Sequence, residues 1–222
     1  MTVTITSGTF RGRKLATPDT SATHPMGSRE KLALFNALIS AGADFSPSTR
    51  VLDLYAGSGA LGLEAISRGA GSAVFVDNNA KARAAIKENI KSLGVERCQV
   101  LAGSFAKSQR SESRTSLLVG PSEAAISLRT TGAKDRELAR NDGPSDRCPQ
   151  GLDEFNFEVI IVDPPYDSFP TDLTPVQNLL APGGFLALSH PDSVDPTEIL
   201  PDLELITTKS HAASRISIYC KR

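Results

Sequence analysis

Residues 50–69 leave this chain few folds to choose from. Val51-Leu52-Asp53-Leu54 is a short apolar run of the kind that fills a buried strand. It passes through Gly57-Ser58-Gly59 straight into Ala60-Leu61-Gly62-Leu63-Glu64-Ala65, which reads as the start of a helix. Glycines between a strand and a helix let the backbone turn tightly and approach a ligand closely. The spacing satisfies G-x-G-x-x-G, and Asp77 follows about 20 residues later, after Ala73-Val74-Phe75-Val76, a second apolar run. An acid after the second strand can hold a ribose diol, so this unit taken alone suggests NAD.

The same βα rhythm recurs along the chain. A helix is predicted over about 29–41, capped by Ser28, with Leu32, Leu34, Phe35, Leu38 and Ile39 on its apolar face. A second helix is predicted at 79–93, a third strand at Val100-Leu101, and a fourth at 157–163. A helix near 173–181 and a fifth strand at 184–189 follow, then an antiparallel hairpin from 203–209 and 215–220. Repeated βα units give an α/β, doubly wound, mainly parallel sheet. Between the third and fourth strands the rhythm stops. Residues 107–153 are rich in Ser, Arg, Gly and Asp, and are expected to form a mobile surface insertion.

Composition narrows the function classes. The 222 residues are 40% hydrophobic and 22% charged, ordinary for a globular protein. No apolar stretch reaches the roughly 18 residues of a membrane span, and the N-terminus carries no signal-like apolar region. Cys98, Cys148 and Cys220 are scattered, and His24, His190 and His211 do not join them at ligand spacing. No metal site is therefore expected, and the cytoplasm is the expected compartment. The net charge of −1 conceals a basic N-terminus, where Arg11, Arg13, Lys14, Arg29 and Lys31 face only Asp19 and Glu30. Residues 1–27 are expected to form a basic arm with a short hairpin around Phe10, followed by an extended linker at 16–27. Residues 28–222 are expected to form the main domain.

The run Val159-Ile160-Ile161-Val162 ends in Asp163-Pro164-Pro165-Tyr166. In open α/β sheets, ligands bind at the carboxyl ends of the strands. A carboxylate and the Pro164 carbonyl can accept the two hydrogens of an exocyclic amine, and the ring can stack on a planar base. Asp53 lies four residues before Gly57, where a carboxylate would repel a pyrophosphate but attract an ammonium. Together these features favour S-adenosylmethionine over a dinucleotide.

Asp53-Leu54-Tyr55-Ala56-Gly57-Ser58-Gly59 resembles motif I of the class I S-adenosylmethionine-dependent methyltransferases, and Asp163-Pro164-Pro165-Tyr166 is similar to their amino-methylating motif IV. More narrowly, Gly8-Thr9-Phe10-Arg11-Gly12-Arg13-Lys14-Leu15, Leu34-Phe35-Asn36 and residues 53–69 resemble the RsmD-type family. That resemblance implies a Rossmann-like domain with a mainly parallel seven-stranded sheet. It also implies transfer of a methyl group to the N2 of a guanine in 16S ribosomal RNA, within the small subunit or its assembly intermediate, by a monomer.

Carried over residue by residue, it places Asp163, Pro164, Pro165 and Tyr166 in catalysis. Asp53, Tyr55, Ala56, Gly57, Ser58, Gly59, Asp77, Asn78 and Ser104 fall at the cofactor, and Arg11, Arg13, Lys14 and Arg29 at the RNA. Two departures stand out. His24-Pro25-Met26-Gly27-Ser28-Arg29-Glu30-Lys31-Leu32 replaces the usual Arg-Pro-Thr-x-x-Arg-Val-Arg-Glu, and Ser104 stands where an acid or amide is common. The tetrad suits any exocyclic amine, so DNA adenine-N6 or cytosine-N4 methylation remains an alternative, as does a catalytically silent RNA-binding module.

Overall fold

Val51 and Leu52 are adjacent in one strand, and both are fully buried. Successive side chains of a strand point to opposite faces, so this sheet must be covered on both. The computed structural model describes residues 3–18, 26–105, 117–119, 156–170, 173–211 and 214–222. Its sheet strands are β3 (Arg50–Leu54), β4 (Ser72–Asp77), β5 (Cys98–Phe105), β6 (Leu117–Val119), β7 (Phe157–Val162), β8 (Leu180–Pro191), β9 (Glu204–His211) and β10 (Ser214–Cys220). The spatial order is β6-β5-β4-β3-β7-β8-β10-β9. Strands β5 to β8 of that series run parallel, and β10 is antiparallel to both of its neighbours.

The parallel order with its closing hairpin is the one expected, but the described sheet has eight strands rather than seven. The extra one, β6, comes from the 107–153 segment and pairs antiparallel with β5. The rest of that segment lies outside the described residues.

One face of the sheet is covered by α1 (Ser28–Ala41), α2 (Ala60–Arg68) and α3 (Ala80–Leu93), which bring Leu34, Phe35, Leu38, Leu63 and Ile86 onto Val51, Val159 and Ile161. On the other face Leu52, Leu54, Ile160 and Val162 pack with Leu173, Val176 of α4 (Thr174–Asn178), Leu200 after α5 (Pro196–Ile199), and Tyr219. Two local expectations are corrected. Ser28 is the first residue of α1, and Gly27 is its cap, with the Glu30 carboxylate accepting from Gly27 N–H at 2.8 Å. The helix near 173–181 ends at Asn178, because Leu180 already enters β8.

The N-terminal arm is fastened to this frame. Strands β1 (Val3–Thr4) and β2 (Lys14–Leu15) pair antiparallel. Between them Gly8 adopts φ 79° and lies so close to α2 that a Cβ there would stand 1.7 Å from Ser67 O. The clamp consists of buried polar groups. Glu64, wholly buried, accepts from Thr6 N–H and Thr6 Oγ1, both at 2.7 Å, and pairs with Arg68 at 3.1 Å. Lys31 of α1 donates to the Thr4 carbonyl, and Phe10 N–H donates to Ser67 Oγ at 2.9 Å. Ala16, assigned by sequence to a linker, is instead held at both N–H and C=O by the Asn89 side chain at 2.7 and 2.9 Å.

Candidate active site

Strand order reverses between β3 and β7, because β4 and β5 extend from one side of β3 while β7 and β8 extend from the other. Such a switch point opens a crevice beyond the carboxyl ends of the strands. The two motifs read from the sequence meet there. Leu54 of β3 lies opposite Val162 of β7, so Tyr55 and Asp163 leave the sheet side by side.

The turn after β3 is closed by side chains beneath it. Tyr55 takes φ 59°, unusual for a residue with a Cβ, and thereby turns the chain out of the strand. Asp77, at the end of β4, accepts from Gly57 N–H through Oδ2 and from Asn79 N–H through Oδ1, each at 2.8 Å. Asn89 donates to the Ser58 carbonyl at 2.9 Å. Gly62 crosses the end of β3 so closely that a Cβ would stand 2.4 Å from Phe75 Cε1 and 3.2 Å from Asp53 Cβ. Ala56 and Ser58 are buried, and Asn78 is exposed at the mouth. The backbone of Ser104 lies in β5, and its side chain lies outside the described residues.

Asp53 sits deeper than an ammonium ligand on an open surface would. It is 1% exposed, and its Oδ2 accepts from Gly62 N–H at 2.8 Å. Its Oδ1 is buried with no hydrogen-bond partner. Burial pushes its pKa well above the usual carboxylate range; the Gly62 N–H opposes this, while Asp163 and Asp77 add like-charge repulsion. An orphaned carboxylate oxygen among three acids favours a cationic occupant. S-adenosylmethionine carries both an ammonium and a sulfonium, whereas a dinucleotide pyrophosphate would add negative charge. These residues fit the sulfonium cofactor.

The turn after β7 is more open. Asp163 is half-buried, Pro164 is buried, Pro165 is exposed and Tyr166 is 40% exposed at the start of a single 3-10 turn. Burial raises the Asp163 carboxyl to about 6, a hydrogen bond from Ser189 opposes the rise, and Glu30 of α1 contributes to it. Ser189 and Glu30 carry no motif signal and were not legible as site residues.

Arg11, Arg13, Lys14 and Arg29 are all exposed, and Arg13 also donates to the Ser92 carbonyl at the end of α3 at 2.9 Å. His24 lies outside the described residues. Leu34 and Phe35 are wholly buried, as core residues, and Asn36 is exposed.

Comparison with known proteins agrees with this geometry. The family model described as conserved hypothetical protein 95 matches residues 3–118, more than half of the chain. A Bacillus subtilis (strain 168) protein, YlbH, whose name assigns it provisionally to rRNA methylation, is 27% identical over 98% of both chains. Ribosomal RNA small subunit methyltransferase D of Escherichia coli (strain K12) is 41% identical over 91 residues, which span 41% of this chain and 42% of that one. Among solved structures, the 16S rRNA N2 G1207 methyltransferase (RsmC) of Thermus thermophilus, in complex with AdoMet and guanosine, superposes with a TM-score of 0.57 at 17% identity. It covers 100% of this chain and 50% of that one, a likeness of fold.

Proposed function

The chain belongs to the conserved hypothetical protein 95 family, the RsmD-type class I methyltransferases, and from that premise we propose that it methylates the exocyclic N2 of a guanine in 16S ribosomal RNA. Support comes above all from one juxtaposition. The glycine turn and the Asp163 tetrad emerge from neighbouring strands at the sheet's switch point, so a methyl donor on one would face an amine on the other.

When bound, S-adenosylmethionine supplies a methyl group on a positively charged sulfur. Asp77 would take the ribose diol, the backbone of residues 55–59 would line the cofactor, and the Asp53 Oδ1 side would favour its positive charge. Guanine N2 is a weak nucleophile, since its lone pair is delocalised into the ring. Asp163 and the Pro164 carbonyl accept its two hydrogens and turn the lone pair toward the methyl. Tyr166 stacks on the extruded base, an interaction worth roughly 1–3 kcal/mol. Positioning is then the main catalytic contribution. Asp163 need not be a strong base, because the amine becomes acidic only once methylated.

Arg11, Lys14 and Arg29 contact phosphates and set register rather than sequence. The clamp through Glu64, Ser67 and Asn89 fixes the segment that carries Arg11 and Lys14 relative to the crevice, and Arg29 is carried by α1. The substrate is the small ribosomal subunit or an assembly intermediate in the cytoplasm. A monomer suffices, because one chain supplies both turns. No helix among the described residues is long and apolar enough to cross a membrane.

The test is to incubate the protein with methyl-labelled S-adenosylmethionine and, in parallel, 16S RNA, small subunits and DNA. Label in RNA or subunits is expected. Label in DNA alone would replace this assignment with a DNA amino-methyltransferase, and label in none would leave a binding module.

A further inference from the structure

Ser189 belongs to no motif read from the sequence, yet it joins the two ends of the tetrad. Strand β8 runs parallel to β7 with Leu188 opposite Val162, which puts Ser189 beside Asp163 at the active edge. Its residue is 2% exposed. Ser189 Oγ lies 2.9 Å from Tyr166 Oη, and from its place beside Asp163 the same hydroxyl acts to lower the pKa of that carboxyl. Resting on the methyltransferase assignment above, we propose that Ser189 is a positioning residue for methyl transfer: its buried hydroxyl locks the Tyr166 ring and the Asp163 carboxylate into one arrangement before the base arrives.

The polarity of this chain follows from donor counting. An ionised carboxylate only accepts, so the single Ser189 proton goes to Asp163, and Tyr166 donates its own proton to Ser189 Oγ. Tyr166 is thereby pinned by its hydroxyl while much of its ring stays exposed for stacking. A ring already fixed loses little further freedom when a base stacks on it. The carboxylate, with one interaction committed to Ser189, keeps acceptor capacity for the amine.

The charges around Asp163 make Ser189 matter more. Glu30 faces it from α1 and Asp53 from β3, and both are acidic. Ser189, from β8, is the neighbour that stabilises the ionised form. Without it, burial and Glu30 act unopposed, and the carboxylate holds its proton to higher pH. A protonated Asp163 has lost acceptor capacity for the amine.

The experiment compares the wild-type full chain with Ser189→Ala, Tyr166→Phe and the double variant. It measures transfer from S-adenosylmethionine to small ribosomal subunits across pH, together with cofactor affinity and melting temperature. Wild-type transfer is recorded first. Its absence on every nucleic acid would remove the assigned function and this inference with it, whereas its presence leaves the variants to judge Ser189 alone.

Ser189→Ala is expected to lower kcat about 10- to 100-fold, as loss of alignment does. Its cofactor affinity should stay within about twofold of wild type, and its acid limb should move to higher pH. Tyr166→Phe should cost less in the Ser189→Ala background than in wild type, because the two hydroxyls act through one bond. A Ser189→Ala enzyme with wild-type kcat and pH profile would overturn the proposal. So would a loss of rate matched by equal losses of cofactor affinity and melting temperature, which would mark a purely structural serine.

Discussion

The turns after β3 and β7 leave the same edge of one sheet, and they are built by opposite means. The glycine turn is tied down from below: Asp77 holds Gly57, Asp53 holds Gly62, and Asn89 holds Ser58. The tetrad leans on its neighbour β8 at Ser189 and presents Pro165 and Tyr166 outward. The difference separates two tasks. On the proposed function, a small cofactor of fixed shape would meet a preformed cradle, while a base extruded from RNA would meet an open platform with one carboxylate and one ring.

If the tasks are separate, they should break separately. The largest expected effect is Asp163→Ala, which should reduce methyl transfer by 10²-fold or more, on the order expected for loss of alignment, with cofactor affinity nearly unchanged. Single-turnover rates and calorimetric cofactor binding measure the two quantities. In the wild type, transfer should rise with pH through about 6 as Asp163 ionises.

Gly62→Ala should do the reverse and damage the cradle. Its Cβ would meet the Phe75 ring and Asp53, so the helix must shift, at about 1–3 kcal/mol typical of overpacking. Both melting temperature and cofactor affinity should fall.

A third outcome concerns stability alone. Between 3.8 and about 6, folded Asp163 keeps a proton that the unfolded chain has released. The unfolded state binds fewer protons there, so Asp163 makes stability fall as pH rises through that window. Asp163→Asn should remove this dependence. Melting scans are expected to show the variant gaining on wild type above pH 6, with the gap closing near pH 4. Activity and stability would then oppose each other at one residue.

The smallest effects lie on the arm. Neutralising Arg11 or Lys14, both exposed, should weaken RNA binding a few-fold and lower the salt slope by about 0.7–0.9 per charge. Arg13→Ala should change the salt slope less, because the guanidinium already serves the Ser92 carbonyl. Binding titrations at several salt concentrations separate the two cases.

The cradle was legible in the sequence, but only some of its supports were. Gly57, Gly59, Gly62 and Asp77 announce themselves by spacing, because a tight strand-to-helix turn tolerates few alternatives. The tetrad is legible for a similar reason: an Asp and two prolines rarely end an apolar strand without purpose. Ser189, Asn89 and Glu30 reach the site only because β8, α3 and α1 fold beside it, and nothing in their local sequence records that. Asp53 shows the limit from the other side. Its position in the motif is plain, but its burial beneath Gly62 depends on how closely α2 crosses β3. The arm shows it as well, since Thr6 and Ala16 look like ordinary polar-stretch residues until Glu64 and Asn89 are set against them.

The most direct measurement is the identity of the methylated nucleoside. Small subunits treated with wild-type protein and labelled S-adenosylmethionine are digested to nucleosides and resolved by mass spectrometry, with Asp163→Ala run alongside. The expected product is N2-methylguanosine from 16S RNA with the wild type, and almost none with the variant despite intact cofactor binding. Label on another base, or equal yields from both proteins, would contradict an amine held by the Asp163 tetrad.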